Sequence, residues 1–183
     1  MLPQVIRTER LVLRPWSFAD AGDIFLYAND VEWSRYLRIA QPYSLEDARQ
    51  FIAAQMLLNR QAHHSWAIEH EARVVGGINL RLLSDLRIGV LGYSIARAVW
   101  GRGLATEAAR AIVDAAFEGC PKFAGVRAMV DARNLASLRV LEKIGMRREG
   151  VLRLNRLGND GLVDEVWCEL SRTEWEAERA AGR

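Results

Sequence analysis

Apolar and polar residues change period several times along the chain, and those changes mark its elements. Arg10-Leu11-Val12-Leu13-Arg14 alternates with period two, as a half-buried strand does, and Pro15 ends it. Ser17 and Asp20 form a helix-start pattern that predicts a helix through Asp30. Ser44 and Asp47 repeat it before a second helix, Ala48 to Arg60. Ser65 to Glu69, Arg73 to Leu83 and Ile88 to Ile95 read as strands, with turns at Glu71-Ala72-Arg73 and Ser84-Asp85. After Gly103, Leu104, Ala108, Ala111, Ile112 and Ala115 recur at helical spacing, while Glu107, Arg110, Asp114 and Glu118 form the polar face. Gly119 and Pro121 stop that third helix.

Val126 to Asp131 is a short strand, and Ser137 to Ile144 a helix closed by Gly145. Val151 to Arg156 and Val163 to Leu170 flank Gly158-Asn159-Asp160-Gly161, a hairpin signal. Ser171-Arg172-Thr173-Glu174 is a capping box that predicts a short terminal helix. Strands and helices interleave without a repeat or linker, so the expectation is one α/β (α+β) domain over residues 1–183 with a mixed sheet.

Composition narrows the class. A chain of 183 residues is long enough to bury a full core. A net charge of +2 points to neither nucleic acid nor an anionic membrane as partner. Met1-Leu2-Pro3-Gln4 has no signal-peptide character and no apolar run reaches bilayer length, so the expected location is cytoplasmic. Cys120 and Cys168 read as small buried hydrophobes, and no metal is expected; His63 and His64 read as solvated surface.

The segment with the clearest chemistry is Trp100-Gly101-Arg102-Gly103-Leu104-Ala105-Thr106-Glu107, between a strand and a helix. Paired glycines let the backbone turn tightly and approach a ligand, and the first helical turn leaves N–H groups that suit an anion. A pyrophosphate fits that arrangement, with Arg102 adding a charge-assisted contact. A plain strand-to-helix turn uses the same residues. The Gly-Lys-Ser/Thr ending of an NTPase loop is absent, and Thr106 stands where a dinucleotide fold has its third glycine.

This loop resembles the acyl-CoA-binding motif Q/R-x-x-G-x-G/A of the GNAT acetyltransferases, with Gly103 and Ala105 in the last two named positions and Trp100 in place of Gln or Arg. Thr8-Glu9-Arg10-Leu11-Val12-Leu13-Arg14, Trp100 to Ala108, and Asn134-Leu135-Ala136-Ser137 through Glu142-Lys143-Ile144-Gly145-Met146 resemble the branch containing ribosomal-protein N-terminal (alanine) acetyltransferases. The resemblance implies a mixed, largely antiparallel sheet with helices on both faces. It also implies acetyl-CoA as cosubstrate, held by Ile95, Ala96, Trp100 to Thr106 and Asn134, with a splayed strand edge near Ile95 and Ala96 meeting the pantetheine.

Acetyl transfer needs a polarised thioester carbonyl, a neutral amine and a protonated leaving thiolate. The tyrosine that many family members use as the acid falls at Leu141 here; Ser137 resembles the serine used instead, or it is a first-turn helix residue. Asn134 resembles the cofactor-contacting asparagine, or is an N-cap, or both. Arg133 could meet the outer phosphate or lie in solvent, and Trp33 and Tyr36 could line the amine side or pack the N-terminal helices. Glu107, Asp131, Glu149, Asp164 and Glu165 are the possible bases, each also readable as a solvated or paired carboxylate; the branch's glutamate falls at Arg156. Absence of a dedicated base favours an α-amine of a protein or peptide N-terminus. The other readings are a small-molecule amine, such as an antibiotic or polyamine, and a non-catalytic acyl-CoA sensor. The expected form is a monomer or homodimer.

Overall fold

A computed structural model describes residues 2–39, 41–59, 61–83, 87–159 and 161–182. Among them, eight strands form one sheet in the order β1-β2-β3-β4-β5-β6-β8-β7. The strands are β1 (Ile6–Arg7), β2 (Val12–Arg14), β3 (His63–His70), β4 (Arg73–Leu83), β5 (Ile88–Ile95), β6 (Gly125–Asp131), β7 (Arg147–Gly158) and β8 (Gly161–Ser171). Every pair is antiparallel except β5 with β6. The helices are α1 (Ala21–Ala28), α2 (Val31–Ser34), α3 (Leu45–Met56), α4 (Leu104–Gly119), α5 (Leu135–Lys143) and α6 (Arg172–Ala180).

Alternation along β3 sorts the helices onto the two faces of the sheet. Trp66 and Ile68 point into the larger core, with Leu104, Ala108 and Ile112 of α4 and Leu138 and Leu141 of α5. Ala67, between them, points into the smaller core with Ile24 of α1 and Ile52 of α3. The mixed, largely antiparallel sheet with helices on both faces is therefore present. The bounds of β4 and β5 are those the sequence predicts.

Several elements depart from expectation, and local hydrogen bonds give the reasons. The first helix stops at Ala28, because the Asp30 carboxylate accepts from the N–H groups of Glu32 and Trp33 and so starts α2. The Ser44–Asp47 capping box starts α3 at Leu45 rather than Ala48, and the helix ends at Met56 with Leu57 as its C-cap, short of the expected end at Arg60, which itself lies outside the described residues. Asn134 caps α5, so that helix begins at Leu135, two residues before Ser137. The buried stripe of α4 includes Ala109, Val113, Ala116 and Phe117, whereas Ala111 and Ala115 are only half-buried. β1 carries no alternation long enough to read, and β7 runs farther both ways as a sheet edge. The Ser84-Asp85 turn and Asp160 lie outside the described residues, although Gly158 still pairs with Gly161 across the hairpin.

His64 is buried within β3 and stacks on Trp66, so it is not solvated surface. Cys168 is buried as expected, but Cys120 is exposed, because it follows the last turn of α4 at the rim. No helix among the described residues is long and apolar enough to cross a membrane.

Candidate active site

The parallel pairing of β5 with β6 runs only from Ile88↔Gly125 to Val90↔Arg127, so the two strands part beyond Val90. On its other edge β5 stays paired with β4 to its end, and the Ala96 N–H donates to the Val75 carbonyl at 2.6 Å. In an antiparallel pair successive residues direct their backbone groups to opposite sides. The amide of Ile95 therefore faces the opening between β5 and β6. Ala96 is buried and its N–H is committed to β4, so it does not supply the donor that the sequence assigned to both residues.

A cleft of about 590 Å³ fills this opening. One wall is Ile95, Trp100, Gly101, Gly103 and the first turn of α4, Leu104 to Thr106. Gly101 and Gly103 have φ of 74° and 78°, the left-handed region that disfavours side chains. A Cβ on Gly101 would meet nothing within 4 Å, so the loop presents bare backbone to open space. Gly103 is the N-cap of α4 and no side chain caps that end, which leaves the N–H groups of Leu104, Ala105 and Thr106 without helical partners. Trp100, in the position where glutamine or arginine is usual, donates its indole N–H to the Ile95 carbonyl at 2.7 Å. It thus ties the loop to the end of β5.

Arg102 is the exception in this loop. Its side chain lies 3.8 Å from Glu71, outside the residues that line the cleft, and its carbonyl accepts from Arg10 at 2.9 Å. The loop is braced from behind by Glu107, which accepts from Thr8 Oγ1 at 2.6 Å and from Arg10 N and Nε at 2.9 and 2.7 Å. Burial alone would push the Glu107 carboxyl up, but the bonds from Thr8 and Arg10 outweigh it and hold the group below its ordinary value. Glu107 is thus a structural anchor, not a base.

The facing wall is α5. Asn134 accepts from the Ser137 N–H at 3.0 Å, and both residues line the cleft. Ser137 Oγ lies 2.8 Å from the Tyr93 hydroxyl, which also lies 3.1 Å from the Ser137 carbonyl oxygen. Tyr93 lines the same cleft and was read from sequence only as a strand residue. Burial pushes its phenol up to about 12 against a lowering contribution from Ser137. Arg139 and Lys143 of α5 also line the cleft, and the four-residue step from one to the other, which puts both on one helix face, is a signal the sequence did carry.

Trp33 and Tyr36 close the third side. Trp33 packs on Tyr27 with ring centroids 5.0 Å apart and also lines the cleft. Among the described residues its indole N–H is buried with no hydrogen-bond partner. The Tyr36 hydroxyl donates to the Arg133 carbonyl at 3.2 Å, and Asn159 at the hairpin tip donates to the Arg35 carbonyl at 3.1 Å. Arg133 itself grips the buried Asp131 through Nε and Nη2 at 2.9 and 2.8 Å, beside Tyr36 rather than the glycine loop.

Among the described residues that line the cleft, Glu32 is the only carboxylate, and it is exposed and 3.5 Å from Arg35. The remaining base candidates are engaged elsewhere. Hydrogen bonding from Arg133 holds the Asp131 carboxyl below its ordinary value, against a smaller opposing effect of burial. Glu165 accepts from Arg156 Nε at 2.8 Å and from Asn155 at 2.7 Å, and Asp164 accepts the Leu154 N–H at 2.9 Å. Glu149 is exposed, 3.9 Å from Arg147. No group of three or more histidine, cysteine or acidic side chains among the described residues is arranged to hold a metal.

Comparison with known proteins identifies the family. Residues 10–147 match the family model of the acetyltransferase (GNAT) domain. YoaA of Bacillus subtilis (strain 168), an uncharacterized N-acetyltransferase, is 31% identical over 153 residues, covering 81% of this chain and 86% of YoaA. The crystal structure of a GNAT-family acetyltransferase from Bacillus anthracis superposes with a TM-score of 0.82 at 26% identity, covering 93% of this chain and 99% of the other. RimL, a ribosomal L7/L12 α-N-protein acetyltransferase solved with coenzyme A, shares the fold at 16% identity with a TM-score of 0.83, covering 91% and 97% of the two chains. The chain belongs to the GNAT acetyltransferase family and is an acetyl-CoA-dependent acetyltransferase.

Proposed function

We propose that this enzyme acetylates an α-amine, at the N-terminus of a protein or peptide, by direct transfer from acetyl-CoA. The observation that carries the reading is how few carboxylates reach the cleft: among the described residues only Glu32 lines it, an exposed side chain 3.5 Å from Arg35. An α-amine of pKa about 7.7–8.0 costs only about 1–1.4 kcal/mol to neutralise at pH 7, whereas a lysine at about 10.4 costs about 4.6 kcal/mol. A site so poor in bases suits the first and handicaps the second. The cationic residues Arg139 and Lys143 of the cleft also oppose a polycationic amine.

In this reading the cofactor's pyrophosphate lies on the free N–H groups of Gly103 to Thr106, and the Ile95 amide polarises the thioester carbonyl. Attack by the amine nitrogen gives a tetrahedral intermediate; its C–S bond then breaks, the sulfur takes a proton from Ser137, and the proton shed by the nitrogen returns through water to restore that donor. Trp33 and Tyr36 border the incoming amine.

The test is acetyl transfer to matched peptides, one with a free N-terminus and no lysine, one N-terminally blocked with an internal lysine, alongside polyamines and aminoglycosides, with product masses recorded. The free N-terminus should be the fastest substrate. A clear rate advantage for the lysine peptide, polyamine or aminoglycoside would overturn the reading.

A further inference from the structure

The phenol that many family members place on the helix after Asn134 is missing, because Leu141 at that position is fully buried in the core. Another phenol reaches the same place from the sheet. Leu91, Tyr93 and Ile95 share the face of β5 turned to α4 and α5, which brings the Tyr93 hydroxyl to the first turn of α5. There it meets Ser137 twice, at Oγ (2.8 Å) and at the carbonyl oxygen (3.1 Å).

Counting protons gives this pair two states. Each hydroxyl carries one hydrogen, and either oxygen can donate to the other. When Tyr93 donates to the carbonyl, Ser137 can spend its hydrogen on the phenolic oxygen. When Tyr93 donates to Oγ, the Ser137 hydrogen is released toward the cleft that both residues line. A serine hydroxyl by itself is a poor acid, since losing its proton leaves an alkoxide. A phenol behind it removes that difficulty.

We propose that Tyr93 is the positioning residue for proton delivery to the leaving sulfur, acting through Ser137; the proposal rests on the serine role stated above. As the C–S bond breaks, sulfur takes the Ser137 Oγ proton while Oγ takes the phenolic proton of Tyr93. The proton lost by the amine nitrogen returns through cleft water to the phenolate, so the enzyme ends as it began. Burial keeps the phenol protonated at neutral pH, with its pKa pushed up to about 12, so the donor form is the resting one.

The experiment compares wild type, Tyr93→Phe, Ser137→Ala and the double variant in kcat, KM for acetyl-CoA, coenzyme A affinity by calorimetry, and proton inventory in mixed light and heavy water. Ser137→Ala should lower kcat about a hundredfold and Tyr93→Phe at least about tenfold, with coenzyme A affinity kept within about twofold. The double variant should fall no further than Ser137→Ala, because the two hydroxyls act as one unit. The inventory should change from a two-proton curve in wild type to a one-proton line in Tyr93→Phe. Should Tyr93→Phe fail to fold, a fluorinated tyrosine at position 93 lowers the phenol pKa without changing its size, and the alkaline limb of kcat should move down in pH with it.

Turnover of Tyr93→Phe within twofold of wild type, effects of the two variants that multiply, or an unmoved alkaline limb would each overturn the role of Tyr93. An impaired Ser137→Ala with a normal Tyr93→Phe would leave the serine in place and remove only the tyrosine. A normal Ser137→Ala with coenzyme A still bound would remove the serine and the path through it.

Discussion

Arg10 and Glu107 are locked together, with guanidinium Nη2 and Nε 2.6 and 2.7 Å from Glu107 Oε2, while Arg10 Nη1 holds the Arg102 carbonyl at 2.9 Å. One arginine thus spans the first turn of α4 and the loop that precedes it. Thr8 and Arg10 fix the shape of the glycine-loop wall without lining the cleft.

Arg10→Ala should therefore act on cofactor binding more than on chemistry. The pair is partly exposed, so the lost bracing corresponds to about 1 kcal/mol, or a rise of about fivefold in KM for acetyl-CoA. The kcat should change by less. Steady-state kinetics with acetyl-CoA varied at saturating amine reads both.

Asn134→Ala removes the side-chain cap of α5 and the acceptor of the Ser137 N–H. Loss of a cap costs about 1 kcal/mol, which in a chain of this size lowers Tm by about 2–4 °C. Because the cap also fixes the turn carrying Ser137, kcat should fall as well. Thermal melts and kinetics on one preparation separate the two effects.

Asp131 sits between Arg133 and Arg156 and is almost fully buried. Its carboxyl is held below its ordinary value, first by hydrogen bonding from Arg133, so its folded pKa is depressed relative to the unfolded chain. The stability it contributes is full above the ordinary carboxylate value near 3.9 and is lost as pH falls through the lower folded value. Glu107, also depressed, follows the same sign. Tm measured from pH 7 downward should hold to about pH 4 and then drop, with a shallower drop in Asp131→Asn.

Arg156 occupies the position where the related branch has a glutamate, and its neighbours explain the difference. It lies 2.8 Å from Glu165 and 3.6 Å from Asp131, both buried. Arg156→Glu would create no base; it would gather three carboxylates and leave two of them buried without this cation. A loss of about 3–5 kcal/mol is expected, visible as a large fall in the denaturation midpoint.

The sequence made most of the fold legible wherever the information was local. Alternation and turn residues located β4 and β5, and the Ser44–Asp47 and Ser171–Glu174 boxes located two helix starts. The glycine loop was legible for the same reason, since positive φ and a bare helix end are properties of a few consecutive residues. What escaped depended on register across the sheet. Tyr93 and Ser137 are 44 residues apart, and only the face that β5 turns to α5 brings them together. Likewise the spacing that placed a glutamate at Arg156 could not reveal the two acids it pairs with, nor Arg102 turning to Glu71.

Calorimetric titration of acetyl-CoA or coenzyme A into the wild-type protein and Gly103→Glu tests the binding of the diphosphate at this helix end most directly. Wild type should bind one equivalent, and Gly103→Glu, which brings a carboxylate to the bare end of α4, should give no heat while still melting cooperatively. Silence from the wild type, or equal affinity in the variant, would contradict it.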